Sequence, residues 1–431
     1  MERLAYKKLL EWKNNKYRKP LILNGARQVG KTWLLKEFGE NEYDSVAYIN
    51  CDETKDLQAV FSDFNTDRLI RAFSAISGVA IKPEKTLIIL DEIQIIPIGL
   101  TALKYFCENA PKYHIAAAGS LLGIGLHEGT GFPVGKVDKI NLYPLCFKEF
   151  LLALKKQQIT SAIQSHRWNE QSALSYVFID LLRQYYYVGG MPAVVKAYAT
   201  NNDIFEVRKI QKQILSDYRL DFSKHVPKDI LPKVNMVWDS IPAQLAKENK
   251  KFIYSKIKKG ARAKEFENAI QWLIDAGLVY KVLRVSKVEK PLKFYEDFDS
   301  FKLFTLDLGL LGAITEVDAK DILVNNSAFT EYKGAFTEQY VFQELQALEK
   351  KVYYYSKEHS ELELDFVIQN YNVYPIEVKA EVNLKSKSLR TIYSENNNLK
   401  PVRFSMADYK EQDWMLNVPL YLAAEWIEHA E

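Results

Sequence analysis

The chain has 431 residues, of which 48% are hydrophobic and 26% charged, with a net charge of +3. A chain of this length buries a sizeable core without disulfides or metals and suggests two or three domains. The balance excludes a disordered chain, and the charge alone gives no argument for nucleic acid.

Three cysteines, Cys51, Cys107 and Cys146, lie far apart, match no zinc spacing and point to a reducing compartment. The start, Met1-Glu2-Arg3-Leu4-Ala5-Tyr6, lacks the apolar stretch of a signal peptide, and no apolar run approaches bilayer length. The expectation is a cytoplasmic protein with no membrane partner.

In chain order, Leu4 to about Tyr17 has helical apolar spacing. Pro20 to Asn24 reads as a strand, followed by Gly25-Ala26-Arg27-Gln28-Val29-Gly30-Lys31-Thr32 and a helix from Trp33 to Phe38. Strand, glycine-bounded loop and helix are the context of a phosphate-binding loop. Its backbone N–H groups and the positive helix end face an anion, so residues 25–33 are the candidate ATP cradle. Lys31 would reach the β- and γ-phosphates and Thr32 would hold Mg²⁺.

Ser45 to Asn50 reads as a second strand and Leu57 to Ile76 as helix. Thr86 to Leu90 is a continuous apolar run ending in Asp91 and Glu92, as in a strand buried on both faces of a parallel sheet. Asp91 is the second candidate Mg²⁺ ligand, and Glu92 the residue that would polarise the attacking water. Thr101 to Asn109 reads as helix, and His114 to Gly119 as another buried strand ending in Ser120, placed to sense the γ-phosphate. Alternating strands and helices argue for a doubly wound α/β sheet with its site at the carboxyl ends of the strands. A cation at the developing charge would come from Lys136, Arg183 or Arg219, among which the sequence does not choose.

Residues 171–221 read as mostly helical, interrupted by Tyr187-Val188-Gly189-Gly190-Met191-Pro192. Residues 228–290 give two helices, the second from Glu265 to Ala276, and then a β-ribbon beginning with Leu278 to Val285, an order that resembles a winged helix. The densest basic patch, Lys256 to Lys264, contains Lys258, Lys259 and Arg262 and is the first place to expect phosphate contacts. Phe336 to Leu348 is a clear helix. Strands follow at Lys351–Tyr355, Glu363–Gln369 and Val373–Lys379, the last two joined by a hairpin turn.

Residues 20–32, Leu-Asp-Glu-Ile-Gln at 90–94, Ala-Gly-Ser at 118–120, Leu-Tyr-Pro-Leu at 142–145, Gly189-Gly190-Met191-Pro192 and Gly334-Ala335-Phe336-Thr337-Glu338 together resemble one family. It is the uncharacterised AAA-type ATPases of bacteria and archaea with a C-terminal domain of unknown function. The resemblance implies a P-loop NTPase that binds ATP and leaves the physiological task open. Gly135-Lys136 stands where the family pattern has Gly-Arg, which leaves the arginine finger without an assigned residue.

A second candidate site lies near the C-terminus. Glu377 and Lys379, two apart on one strand, point to one face, and Asp365 on the neighbouring strand could face them, with Glu338 on the preceding helix. Helix Glu, strand Asp and Glu-x-Lys resembles the PD-(D/E)xK restriction-endonuclease-like superfamily. Asp365 and Glu377 would hold Mg²⁺, and Lys379 would position the attacking water. Lys385, Lys387 and Arg390 follow and could contact phosphates.

The expected domains are 1–160, the ATPase core; 161–225, a helical subdomain; 226–295, winged-helix-like; and 296–431, restriction-endonuclease-like and α+β. Two functions compete. One is an ATP-driven enzyme acting on DNA or RNA, with a Mg²⁺-dependent nuclease-like domain. The other is a nucleotide-controlled switch whose inactive C-terminal fold docks a protein partner or a second copy. A small-molecule kinase is disfavoured by the large remainder.

Overall fold

The computed structural model describes residues 1–120, 133–170, 172–245, 251–323, 333–357, 360–382 and 386–430; the side chain of Ser120 and the whole of Lys385 lie outside this set. Two compact units emerge, one of residues 2–143 with 275–277, the other of residue 1 with 144–274 and 278–431.

In the first unit, α1 (Ala5–Asn14) precedes β1 (Leu21–Gly25), α2 (Lys31–Glu42) and β2 (Ser45–Asn50). The single helix expected over 57–76 is two, α3 (Leu57–Val60) and α4 (Thr66–Ser77). Asn65 causes the break: its side chain caps α4 by accepting from the Arg68 amide (3.0 Å). Then come β3 (Thr86–Asp91), α5 (Pro97–Asn109), β4 (His114–Ser120) and β5 (Asp138–Asn141). The last is a short strand whose intermediate–exposed–buried–exposed pattern gave no apolar run to detect.

These five strands are all parallel, in the order β2-β3-β4-β1-β5. β3 is buried at every position, as a central strand covered on both faces must be. A core of Ile22, Ile49, Phe73, Ile88, Leu103, Phe106 and Ile115 packs against the sheet.

The second unit begins with helices α6 (Phe147–Ala153), α7 (Gln157–Gln164), α8 (Ser175–Val188), α9 (Pro192–Asn201), α10 (Ile204–His225), α11 (Leu231–Leu245) and α12 (Ala263–Asp275). The α12 helix leads into β6 (Val279–Val285) and β7 (Glu296–Thr305). Helices α13 (Leu308–Ile314), α14 (Ala319–Leu323) and α15 (Lys333–Ala347) come next. The chain closes with β8 (Val352–Ser356), β9 (Glu363–Gln369), β10 (Val373–Val378), α16 (Lys387–Glu395), β11 (Val402–Ser405), β12 (Lys410–Glu411), β13 (Leu416–Pro419) and α17 (Ala423–His429).

The β6–β7 ribbon is present where a wing was expected, but it does not stand apart. β6 also pairs in parallel with β8, so both strands belong to an eight-stranded sheet in the order β12-β13-β11-β10-β9-β8-β6-β7. Among the described residues, no helix is long and apolar enough to cross a membrane.

Helix α15 runs through this unit with residues 335–345 all buried. A helix buried all round must satisfy its polar side chains internally. Gln339 does so by accepting from the Thr305 amide (3.0 Å) and donating to the Thr305 carbonyl (2.8 Å). Gln343 accepts from the Leu308 amide (2.9 Å) and donates to the Tyr185 hydroxyl (2.7 Å). Glu344 accepts from the Phe147 amide (2.9 Å), and its other oxygen is buried with no partner. Asp307 caps α13 through the Leu310 amide (2.9 Å) and also accepts from the Gly190 amide (2.6 Å).

Burial pushes the Glu344 carboxyl from 4.5 up to about 8, and Asp307 up to about 6. Both groups hold a proton in the folded state that the unfolded chain releases. Their stabilisation is therefore complete below the unfolded values and is lost as pH rises towards 8. Thermal melts should show the midpoint falling between about pH 5 and pH 8. Glu344→Gln, which mimics the protonated acid, should melt at or above the parent at pH 8 and show a smaller drop.

Candidate functional site

The loop between β1 and α2 is shaped by its glycines. A Cβ on Gly25 would lie 2.4 Å from the Leu142 carbonyl oxygen, so no other residue fits without moving that segment. Gly30 sits at φ +94° and turns the chain into α2, with no side chain capping that end. The first helical amide with an intrahelical acceptor is Leu34, which donates to the Gly30 carbonyl (3.0 Å). The amides of Lys31, Thr32 and Trp33 therefore point out of the helix start as a group suited to an anion. Within the loop, Ala26 and Val29 are buried, Gln28 is exposed at φ +66°, and Arg27 is intermediate. Trp33 is exposed at the rim.

Lys31 is buried, and its ammonium donates to the carbonyls of Gly25 (3.0 Å) and Ala26 (2.8 Å). Burial lowers its pKa to about 8, against the opposing pull of Glu92 and Asp91. The Thr32 hydroxyl donates to Asp91 Oδ2 (2.8 Å), so the two expected Mg²⁺ ligands meet. Asp91 is buried at the end of β3, and Glu92 follows it in a left-handed conformation at φ +53°. That turn sends the two consecutive carboxylates in different directions, and the Gln94 amide holds the Glu92 carboxylate. Ser120 ends β4, which lies between β3 and β1; the position of its hydroxyl is not among the described atoms.

Sequence reasoning missed three supports of this cluster. Tyr48 donates to Asp91 Oδ2 (2.9 Å). Its position was readable only once β2 was known to lie beside β3 with Asn50 opposite Asp91. Arg3, buried far upstream, donates to the carbonyls of Val29 (3.0 Å) and Tyr143 (2.6 Å) and pins the loop. Gln94 is the third, and only its place in the Leu-Asp-Glu-Ile-Gln motif hinted at it.

Of the finger candidates, Lys136 pairs with Glu108 (2.9 Å) and Arg219 with Asp239 (2.5 Å). Arg183 lines a cavity of about 400 Å³ in the second unit together with Tyr186, Lys333, Thr337 and Glu381.

The C-terminal candidates are partly brought together. Asp365 Oδ2 accepts from the Val378 amide (2.7 Å), which ties it to the strand carrying Glu377. Lys379 Nζ is 2.9 Å from Glu377 Oε1. Glu338 instead faces Lys302, a fully buried lysine on β7 that lies 3.9 Å from Glu338 Oε2 and 2.7 Å from Glu363 Oε1. Burying an ammonium is costly unless acids lie beside it, and Glu338 and Glu363 are the acids beside Lys302. Among the described residues, Glu338, Asp365 and Glu377 do not form a set whose oxygens all lie within 4.8 Å of one another. Lys258, Lys259, Arg262, Lys387 and Arg390 are exposed. The Arg390 guanidinium lies 5.0 Å from the centre of the Trp414 ring.

Lys31 gives a pH test. Phosphate oxygens favour the ammonium form, whereas the nucleotide-free lysine loses its proton near pH 8. Calorimetric titration with ATP at about pH 9, in buffers of different ionisation enthalpy, should show close to one proton taken up on binding. Affinity should weaken by up to tenfold per pH unit above pH 8. Both effects should be small at pH 7 and absent in Lys31→Met.

Residues 17–151 match the model of an AAA domain, residues 179–321 a domain of unknown function (DUF8612), and residues 333–421 a domain of unknown function (DUF4143). An uncharacterised protein of Methanocaldococcus jannaschii, MJ1637, is 26% identical over 201 residues, spanning 43% of this chain and 40% of its own length. Among solved structures, a Walker-type ATPase of Pyrococcus abyssi is 16% identical with a TM-score of 0.44, covering 72% of this chain and 94% of its own. The Aeropyrum pernix Orc1 protein, solved in complex with DNA, is 12% identical with a TM-score of 0.29, covering 72% and 91%. By the domain matches, the chain joins an N-terminal AAA domain to a C-terminal domain of the DUF4143 type.

Proposed function

We propose that the chain binds and hydrolyses Mg²⁺·ATP at the β1–α2 loop and uses the nucleotide state to control binding of a partner by its second unit. The observation that carries this reading is the Thr32–Asp91 contact (2.8 Å) beside a lysine turned onto loop carbonyls. The fit to a triphosphate is good on three counts. The helix start has no side-chain cap, a Cβ at Gly25 would crowd the Leu142 carbonyl, and the buried Lys31 donates to carbonyls that phosphate oxygens could replace as acceptors.

On this reading residues 25–33 cradle the phosphates through backbone amides, and Lys31 reaches the terminal ones. Thr32 and Asp91 hold the Mg²⁺ that accompanies the nucleotide. Glu92 orients the attacking water and takes its proton as the bond between the γ-phosphorus and the bridging oxygen of ADP breaks. Tyr48 and Gln94 keep the two carboxylates apart and in place.

The Lys302 pairings favour the switch over the nuclease. Glu338, the helix acid of a restriction-endonuclease-like site, lies beside the buried Lys302 and forms no common donor set with Asp365 and Glu377 among the described residues. The second unit then serves recognition, and Lys258, Lys259 and Arg262 are its candidate surface if the partner is DNA or RNA.

The test is phosphate release by wild type, Lys31→Ala and Glu92→Gln, with and without DNA and RNA, run beside a Mg²⁺-dependent cleavage assay. The expected result is ATP hydrolysis that falls at least about a hundredfold in both variants, with nucleic acid left intact. Cleavage that disappears in Asp365→Ala would reverse the assignment of the second unit. Absence of ATP binding would end the whole reading.

A further inference from the structure

Far from the nucleotide loop in sequence, two of the chain's six histidines converge on one buried carboxylate. Glu425 and His429 are one helical turn apart on α17, so their side chains share a face. His166 comes from the segment after α7. It is held at φ +55° and in ring contact with Trp168 (centroids 5.2 Å apart), which in turn meets Tyr409 (5.3 Å). One donor atom from each of His166, Glu425 and His429 lies within 4.8 Å of the other two.

The distances separate two explanations. His166 Nε2 is 3.5 Å and His429 Nδ1 3.7 Å from Glu425 Oε1. Both are too long for N–H···O hydrogen bonds, whose donors and acceptors lie about 2.7–3.2 Å apart. Four-coordinate zinc with ligands at about 2.0–2.2 Å sets its donors at tetrahedral edges of about 3.3–3.6 Å. The His166–Glu425 spacing is that of two donors on one ion, and the nitrogen His429 has to offer is Nε2, since its Nδ1 faces the Glu425 backbone carbonyl.

The surroundings fit the same role. Glu425 is 4% exposed, and Lys148 Nζ lies 3.5 Å from its other oxygen, Oε2, leaving Oε1 to face the two rings. Glu428, 3.9 Å from the same Lys148, offsets that positive charge. The His429 Nδ1 atom is 2.9 Å from the Glu425 backbone carbonyl, an outer hydrogen bond of the kind that fixes a ligating imidazole so that its other nitrogen faces a metal. The two histidine side chains are 45% and 52% exposed, so an ion could enter and keep one position open to water.

We propose that His166, Glu425 and His429 form a binding site for a divalent transition metal ion of the zinc class. Two ligands come from one turn of the final helix and the third from a segment some 260 residues earlier, so the ion would clasp the C-terminus of the chain to the region before α8. Imidazole and carboxylate donors select zinc, cobalt or nickel over magnesium, which sets this ion apart from the one that accompanies ATP.

The test uses the full chain, stripped with a chelator and free of nucleotide. Zn²⁺ titration by calorimetry should give one ion per chain with a dissociation constant at or below the micromolar range. Co²⁺ should produce the visible absorption of a tetrahedral centre. His166→Ala and His429→Ala should each weaken Zn²⁺ binding by about thirtyfold or more and abolish the Co²⁺ bands. Circular dichroism should be unchanged, since both side chains are half exposed. Lys31→Ala should bind Zn²⁺ as the parent does. The proposal falls if the parent takes up no Zn²⁺ at that affinity, if either histidine variant retains parental binding, or if Lys31→Ala loses it.

Discussion

The Thr32 hydroxyl and the Asp91 carboxylate are 2.8 Å apart, although β4 lies between the strands that lead to them. Only a parallel sheet whose strands end on one common edge can bring such groups together. Parallel pairing needs crossover connections, and α2, α4 and α5 lie on those from β1 to β2, β2 to β3 and β3 to β4. The burial of β3 on both faces, the glycine at the close approach to Leu142 and the clamp from Arg3 all serve to hold that edge still. Lys31 is desolvated as a result, and its readiness to bind an anion and its lowered pKa share that one cause.

Much of this was legible from residue order. The run Thr86 to Asp91 read as a strand buried on both faces, and Gly25 to Thr32 as a phosphate-binding loop between a strand and a helix. Residues 45–50, 86–91 and 114–120 form strands as expected. What failed were features set by partners distant in sequence. β5 is four residues of mixed polarity that become a strand because β1 offers an edge. Asn65 splits a helix through a local side-chain bond that competes with helical periodicity. Tyr48 and Arg3 reach the site through strand order and chain reversal, neither of which has a sequence period.

The C-terminal candidates illustrate the same limit. Spacing correctly put Glu377 and Lys379 together and tied Asp365 to their strand. It could not reveal that Lys302, on a strand that the sequence reading did not mark, would be driven into the core beside Glu338 and Glu363. A buried cation demands negative partners, so two acids that read as catalytic or surface groups are spent on charge balance. Polar residues along α15 follow a related rule: Gln339, Gln343 and Glu344 look misplaced on a buried helix until the backbone groups of Thr305, Leu308 and Phe147 are seen to need them.

The parallel pairing of β6 with β8 joins strands separated by more than sixty residues, with α13, α14 and α15 among the described residues between them. Register in one half of the eight-stranded sheet therefore depends on a partner made much later in synthesis. Any cut between residues 305 and 333 would strip β8 of a neighbour and leave raw main-chain edges on both fragments, inviting strand exchange between copies. The eight-stranded sheet is therefore complete only when the whole of residues 279–419 is present.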